Sequence, residues 1–92
     1  MFVPLDAKTT TAQIDSAGIV FNKPDAADTV IIQNTAGSVL LVGYQLMPTD
    51  ATGFSIPANT AVELRIILSS LYLKRKAGAA AEPATISFGV SQ

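Results

Sequence analysis

The feature that most constrains the fold of this chain is the stretch from residue 28 to residue 46. Two runs dense in β-branched and aliphatic residues, 29–33 and 39–46, flank the segment Asn34-Thr35-Ala36-Gly37-Ser38. β-Branched side chains suit a pleated, half-buried surface, whereas Asn and Gly suit the backbone of a turn. Asn at the first position and Gly at the fourth fit a type I turn. The pattern predicts that the two runs fold back on each other as an antiparallel hairpin.

Further short strands are predicted on both sides of this stretch. The candidates are residues 9–14, 19–21, 54–56, 71–74 and 84–90, with turns or loops between them. All five prolines fall at the chain start or between strand candidates, where they interrupt no central ladder. Residues 1–11 are predicted to form an extended arm or short edge strand, because Pro4 cannot donate to a central ladder. The sequence leaves open whether this arm covers its own sheet or a neighbouring subunit.

Residues 61–68 carry two competing patterns. Val62, Leu64, Ile66 and Leu68 alternate with Glu63 and Arg65 at the period of a strand. Thr60 and Glu63 also fit a helix capping box, and Leu64, Ile67, Leu68 and Leu71 make a helical stripe. The strand is preferred because the neighbouring elements are all short and bounded by turns.

These elements predict a single all-β domain over residues 1–92, with residues 1–11 as an extended N-terminal arm. About seven or eight short strands in a chain of 92 residues suit a small antiparallel β-sandwich or a jelly-roll-like barrel.

The composition bears on how such a domain meets its surroundings. Hydrophobic residues make up 49% of the chain and charged residues only 14%, against roughly 25% in an average soluble domain. A chain this short cannot bury that much apolar surface by itself, so identical copies or a larger partner are expected to cover some of it. The alternative is a monomer whose exposed apolar residues are dispersed.

The charge balance and the terminal sequence narrow the expected partners. A net charge of −1 gives no reason to expect nucleic acid or an anionic membrane as a partner. The N-terminus lacks the basic and apolar regions of a signal peptide, and no apolar run approaches the roughly 20 residues that span a bilayer. The default expectation is a soluble protein made in the cytoplasm.

No constellation of residues predicts catalysis. Cysteine and histidine are absent, which removes thiolate chemistry and the usual base of a serine nucleophile. Asp25, Asp28 and Asp50 lie near predicted loops, where aspartates commonly bond the backbone of turns. Asp25 and Asp28 could offer oxygens to calcium, but they lack the dense ligand alternation of a calcium loop. We therefore expect no enzyme activity, cofactor, metal site or small-molecule substrate.

A charged run and a few apolar residues remain as candidates for contacts. The run 74–76, Lys-Arg-Lys, is predicted to be a solvated edge or loop rather than a phosphate site. The candidate protein-contact residues are Phe2, Val3, Leu5, Tyr44, Met47, Phe54 and Tyr72. For the two tyrosines, packing at the rim of the core is the alternative.

From residue 28 to the end, the chain resembles small virion proteins of tailed bacteriophages. The matching pieces are D-T-V-I-I-Q-N-T-A-G-S-V-L-L-V-G, G-F-S-I-P-A-N-T-A-V-E-L, L-Y-L and the terminal A-T-I-S-F-G-V. The chain departs from that family at Ala58-Asn59-Thr60, where the turn usually carries a glycine. The resemblance covers about two thirds of the chain.

The resemblance implies a structural role in the virion. The expected role is a capsid decoration or cement protein on the outer head surface, with the major capsid protein and copies of itself as partners. A tail, fibre or head-completion component is the first alternative. A small ligand-binding β module is the second, and would show a concave site with convergent polar and aromatic residues.

Overall fold

A computed structural model describes residues 2–44, 47–49, 54–66 and 70–91. Within them lie eight strands: β1 (Phe2–Ile14), β2 (Ile19–Asn22), β3 (Thr29–Asn34), β4 (Leu40–Tyr44), β5 (Phe54–Ile56), β6 (Thr60–Arg65), β7 (Ser70–Arg75) and β8 (Glu82–Ser91).

The strands form two four-stranded antiparallel sheets. Sheet A has the order β1-β8-β3-β6, and sheet B has the order β2-β7-β4-β5. Consecutive strands alternate between the sheets, except for β4 and β5, which pair with each other. This is the strand order of an eight-stranded jelly roll, a sandwich of two sheets around one core. The predicted all-β fold class is confirmed.

The predicted hairpin between residues 29–33 and 39–46 is wrong. β3 pairs with β6 and β8 in sheet A, whereas β4 pairs with β5 and β7 in sheet B. Residues 35–39 therefore form an arch between the sheets, with both strands directing apolar side chains into the same core. Turn-forming residues permit either a hairpin or an arch between sheets, and hydrogen bonds from the Asn34 side chain stabilise the arch.

The core follows from the period-2 pattern of the inner strands. Val30 and Ile32 of β3 are fully buried, and they face Leu40 and Val42 of β4 across the sandwich. The neighbouring strands add Leu71, Leu73, Ala84, Ile86 and Phe88 to the same cluster. Complete burial of one such aliphatic side chain contributes about 1.5–3 kcal/mol.

Residues 60–65 form a strand, as preferred over the helix. β6 pairs with β3 along its whole length, from Thr60 opposite Asn34 to Arg65 opposite Thr29. Asn59 in the preceding turn has a φ of 56°, in the left-handed region. Asn tolerates that region better than most residues, so the turn forms without a glycine. Residues 67–69 of the competing helical stripe lie outside the described part.

The N-terminal residues pair with their own sheet. β1 runs antiparallel to β8, with a register shift between Pro4 and Thr9. A Cβ built on Gly89 would lie 2.7 Å from an atom of the Phe2 ring and would overlap the Val3 carbonyl oxygen. The first residues of β1 thus lie directly against β8, and the close approach depends on glycine.

Candidate functional site: a buried arginine cluster and two apolar surfaces

Arg75 is fully buried, so the prediction of a solvated run at residues 74–76 is wrong for its central member. Leu71, Leu73 and Arg75 alternate along β7 and all point into the sandwich, whereas Lys76 beyond the strand is exposed. The strand period, rather than the local charge density, determines the direction of the Arg75 side chain.

The Arg75 guanidinium donates to acceptors from four segments. Its Nη1 lies 2.7 Å from Asn34 Oδ1 and 2.9 Å from the Ser38 carbonyl oxygen. Its Nη2 lies 3.2 Å from the carbonyl oxygen of Glu82 and 3.0 Å from that of Pro83. Nε adds a longer contact, 3.4 Å, to the carbonyl oxygen of Ile14. The cation thus joins the ends of β1 and β3, the arch and the start of β8.

Asn34 forms the other half of this cluster. Its Nδ2 lies 2.9 Å from the Ser38 carbonyl oxygen, 3.1 Å from that of Ile56 and 3.0 Å from that of Pro57. Ser38 in turn donates its hydroxyl to Glu82 Oε1 over 2.6 Å. The Asn34 amide therefore fixes the arch and the turn after β5 to the end of β3.

The electrostatics of the cluster follow from burial. Desolvation lowers the pKa of Arg75 from its usual range, and the charge of Glu82 partly opposes that shift. The Ser38 hydroxyl lowers the pKa of Glu82 more than desolvation raises it. An arginine remains charged throughout the physiological range. Its fork of donors is occupied by protein acceptors, so the arrangement stabilises the fold and offers no free group to a substrate.

Asp28 forms a second, smaller polar cluster at the other end of sheet A. Its Oδ1 accepts from Thr29 Oγ1 at 2.7 Å and from the Ser91 amide at 2.9 Å. These hydrogen bonds lower the pKa of Asp28, with a smaller contribution from the charge of Arg65. No group of three or more acidic, histidine or cysteine side chains that could hold a metal is found among the described residues. The Asp28 carboxylate thus connects the start of β3 to the end of β8 by hydrogen bonds.

One apolar surface lies on the outer face of sheet B. Val20 is 47% exposed and lies directly opposite Tyr72, which is half-buried. Met47, also half-buried, lies next to this face, because a Cβ built on Gly18, just before β2, would lie 2.7 Å from its Sδ and 2.9 Å from Cβ of Lys74, which lies on the same face as Tyr72. We call Val20, Met47 and Tyr72 the sheet B patch. Met47 and Tyr72 are among the contact residues predicted from the sequence, whereas Val20 is not, although an unbroken Ile-Val-Phe strand must turn at least one apolar residue outward.

A second apolar surface lies where the edge strands of the two sheets meet. Phe54 of β5 is 45% exposed, although its cross-strand partner Val42 is buried in the core. Val62 and Leu64 of β6 pack against the core but remain partly exposed. These three side chains form an apolar seam along the open side of the sandwich.

The structure does not bring all predicted contact residues together. Phe2 and Val3 are half-buried and lie on β1, the edge strand of sheet A farthest from β6. The side chains of Leu5 and Tyr44 lie outside the described part. Met47 and Tyr72 share the sheet B patch, whereas Phe54 belongs to the apolar seam.

A shallow depression of about 260 Å³ lies at the end of β3 and the start of β6. It is lined by Gln33, Asn34, Thr35, Asn59, Thr60 and Ala61. The Asn34 side chain is already bonded inside the fold, and none of the lining residues that the structure describes is aromatic. Five of its six described lining residues carry polar side chains, but most of the surface that faces the depression is apolar, and none of these residues offers a stacking surface.

The strand order defines the chain as an eight-stranded antiparallel jelly roll. Comparisons with protein-family models, with curated proteins and with solved structures find no match. No helix in the described residues is long and apolar enough to cross a membrane.

Proposed function

We propose that this chain is a non-enzymatic structural protein of a virion. Stated more specifically, the protein would decorate or cement the capsid by binding to the outer surface of a phage head. The observation that carries the proposal is the distribution of polar and apolar side chains. The buried polar groups hold the fold together, while apolar side chains are left on the outside. The resemblance of residues 28 onward to tailed-phage virion proteins supplies the biological setting.

The buried polar groups support a rigid, chemically inert module. Among the described residues, no buried side-chain nitrogen or oxygen lacks a hydrogen-bond partner. Because every unpaired buried polar group is costly, full pairing favours one well-defined packing arrangement. Such rigidity suits a protein that reinforces a shell.

The sheet B patch is the surface that we assign to the shell. Val20 and Tyr72 lie side by side across adjacent strands, and Met47 lies next to the same face. Aromatic residues and methionine are enriched in the cores of protein interfaces, whereas charged residues are depleted there. A single patch of this size binds weakly. Copies docked on neighbouring lattice positions, and joined to one another, would gain affinity through multivalency.

Two alternatives carry different expectations. A tail, fibre or head-completion component would use the same sandwich at far lower copy number. A small ligand-binding module is favoured by the shallow depression beside Asn59, and jelly rolls occur in lectin domains as well as in viral capsids. A fold by itself does not establish a function. The lack of an aromatic stacking surface makes this second alternative the weaker one.

Quantitative mass spectrometry of particles purified from the source of this chain tests the proposal. We expect a copy number comparable with that of the most abundant shell protein. A number far below it would move the assignment to a tail, fibre or vertex. Absence from the particles would contradict the virion role and leave the ligand-binding module as the remaining candidate.

A further inference from the structure

The four edge strands of the sandwich differ in how well they resist pairing with another chain. β2 and β5 are only four and three residues long. β1 carries Pro4 and a register shift between Pro4 and Thr9. Short length, proline, irregularity and charged side chains are devices by which edge strands avoid uncontrolled pairing. β6 has only the last of these, in Glu63 and Arg65: its six residues contain no proline, and its register with β3 is regular.

Alternate residues of β6 present their backbone N–H and C=O groups to the free edge of sheet A. The Ile66 amide donates to the Asp28 carbonyl oxygen at 2.8 Å and extends the register in which Arg65 lies opposite Thr29. Hydrogen-bonded and non-hydrogen-bonded pairs alternate along an antiparallel ladder. The backbone N–H and C=O groups of Leu64 therefore form hydrogen bonds with β3. Those of Glu63 and Arg65 point to the open side of the sheet.

The side chains of β6 select one register for a second copy. Glu63 and Arg65 both lie exposed on the outer face of sheet A, two residues apart. If two β6 strands pair antiparallel about a two-fold axis at Leu64, Glu63 of each copy lies opposite Arg65 of the other. An axis at Glu63 would oppose two carboxylates, and an axis at Arg65 would oppose two guanidinium groups. Like charges directly opposite each other are unfavourable.

The existing contacts leave both side chains available. Arg65 makes one long ion pair, 3.7 Å to Asp28, with 74% of its side chain exposed. Glu63 has no ion-pair partner among the described residues. A one-residue slip would place charged side chains opposite apolar ones, because it exchanges the two faces of the strand.

We propose that β6 is a self-association edge, through which two copies of this chain join their A sheets into one continuous eight-stranded sheet. The occupant is a second copy because the charge pattern is complementary to itself under two-fold symmetry, as an isologous interface requires. The backbone groups of Glu63 and Arg65 pair with those of Arg65 and Glu63 in the other copy. The two Leu64 side chains meet at the axis.

The apolar seam adds to this interface. Val62 and Leu64 lie on the inner face of β6, and Phe54 lies on the neighbouring edge of sheet B, so the approach of a second copy covers exposed apolar surface. Pairing through one short edge belongs to the small interface class. We expect a dissociation constant on the order of 10–100 µM.

Charge reversal of the purified full chain tests the register, with sedimentation equilibrium from about 10 µM to 1 mM as the readout. Glu63→Arg alone and Arg65→Glu alone each replace two opposite-charge pairs with two like-charge pairs. We expect each to raise the dissociation constant about tenfold or more. The double variant Glu63→Arg with Arg65→Glu restores complementarity and should recover most of the association. Asp25→Arg and Lys76→Glu are the matched controls, because both residues are exposed and lie outside β6.

A crosslink provides a second test that does not rest on charge. The chain has no cysteine, so Leu64→Cys introduces a single thiol at the proposed axis. Directly opposed residues of a non-hydrogen-bonded pair have Cα atoms about 4.5 Å apart, close enough for a disulfide. We expect mild oxidation to produce a covalent dimer. Val62→Cys is the control, since its two copies would lie four residues apart and should remain unlinked.

A wild-type chain that stays monomeric at 1 mM would overturn the proposal. So would a dimer that tolerates both single charge reversals, or one that crosslinks equally through Val62→Cys. These measurements use the isolated protein, so they are independent of whether it binds a phage head. Self-association without shell binding would contradict the proposed function alone, and shell binding by a strict monomer would contradict this inference alone.

Discussion

Replacement of Arg75 by methionine should destabilise the protein strongly, although it removes a buried charge. Exchange of a whole buried ion pair for hydrophobic residues is often neutral, because both charged partners disappear together. Here the acceptors are mainly backbone carbonyls, which no substitution at residue 75 removes. Arg75→Met therefore leaves acceptors without donors in a dry environment.

The structure sets the size of the effect. The carbonyl oxygens of Ser38 and Pro83 keep second contacts, from Asn34 Nδ2 and Thr35 Oγ1. Asn34 Oδ1 and the Glu82 carbonyl oxygen lose their guanidinium donors. Two or three unsatisfied acceptors cost about 3–6 kcal/mol, and relief of the arginine desolvation offsets about 1–2 kcal/mol. The expected net loss is about 1–5 kcal/mol, from a total of about 5–14 kcal/mol for a chain of this length.

Urea unfolding at pH 7, followed by circular dichroism, measures this loss. Lys76→Met is the matched control, because Lys76 is exposed and its substitution also replaces a positive charge with methionine. The control should lie within about 0.5 kcal/mol of the wild type. A similar value for Arg75→Met would refute the reasoning and show that the arginine cluster does not stabilise the fold.

Two further predictions concern the pairing of β1 with β8 and the carboxylates. Gly89→Ala should lower the free energy of unfolding by about 1–3 kcal/mol and speed amide exchange in the first residues of β1, because the new Cβ overlaps the Val3 carbonyl and the Phe2 ring. Gly37→Ala is the control, since no atom lies within 4 Å of its Cβ. Equal effects of the two substitutions would contradict the packing of β1 on β8. The free energy of unfolding should fall on acidification, because folding lowers the pKa values of Asp28 and Glu82 from their ordinary 3.8 and 4.5. The two carboxylates contribute their full stabilisation above these ordinary values. The contribution is lost as the pH falls through the lower pKa values of the folded state. Urea unfolding between pH 7 and pH 2.5 measures this, and an equally steep decline in the Asp28→Asn, Glu82→Gln double variant would assign it to other groups.

The strands were predictable from the sequence, but their partners were not. Alternation identified β6 and β8, because burial on one face of a sheet repeats every two residues. The residues 34–38 indicated a chain reversal, yet a hairpin and an arch between sheets use the same turn chemistry. The difference depends on which strands flank β3 in space, and those lie far away in the sequence.

The buried arginine shows a second limit of sequence reasoning. The run Lys-Arg-Lys resembles a solvated segment, although the alternation of Leu71 and Leu73 already indicates that residue 75 points inward. Burial of a guanidinium also requires acceptors, and these include Asn34 and Ile14, 41 and 61 residues earlier in the chain. Val20 was missed for a simpler reason: in a strand of three apolar residues, the pattern alone does not identify which one faces outward.

Re-addition of the purified protein to heads that lack it tests the central claim most directly. The measured quantities are the number of bound copies per shell protein at saturation and the temperature at which the heads break open. The proposed function predicts saturable binding in proportion to the shell lattice, a raised breakage temperature, and weaker binding for a Val20→Asp, Tyr72→Asp double variant that still folds. Absence of saturable binding, or binding without any gain in head stability, would contradict it.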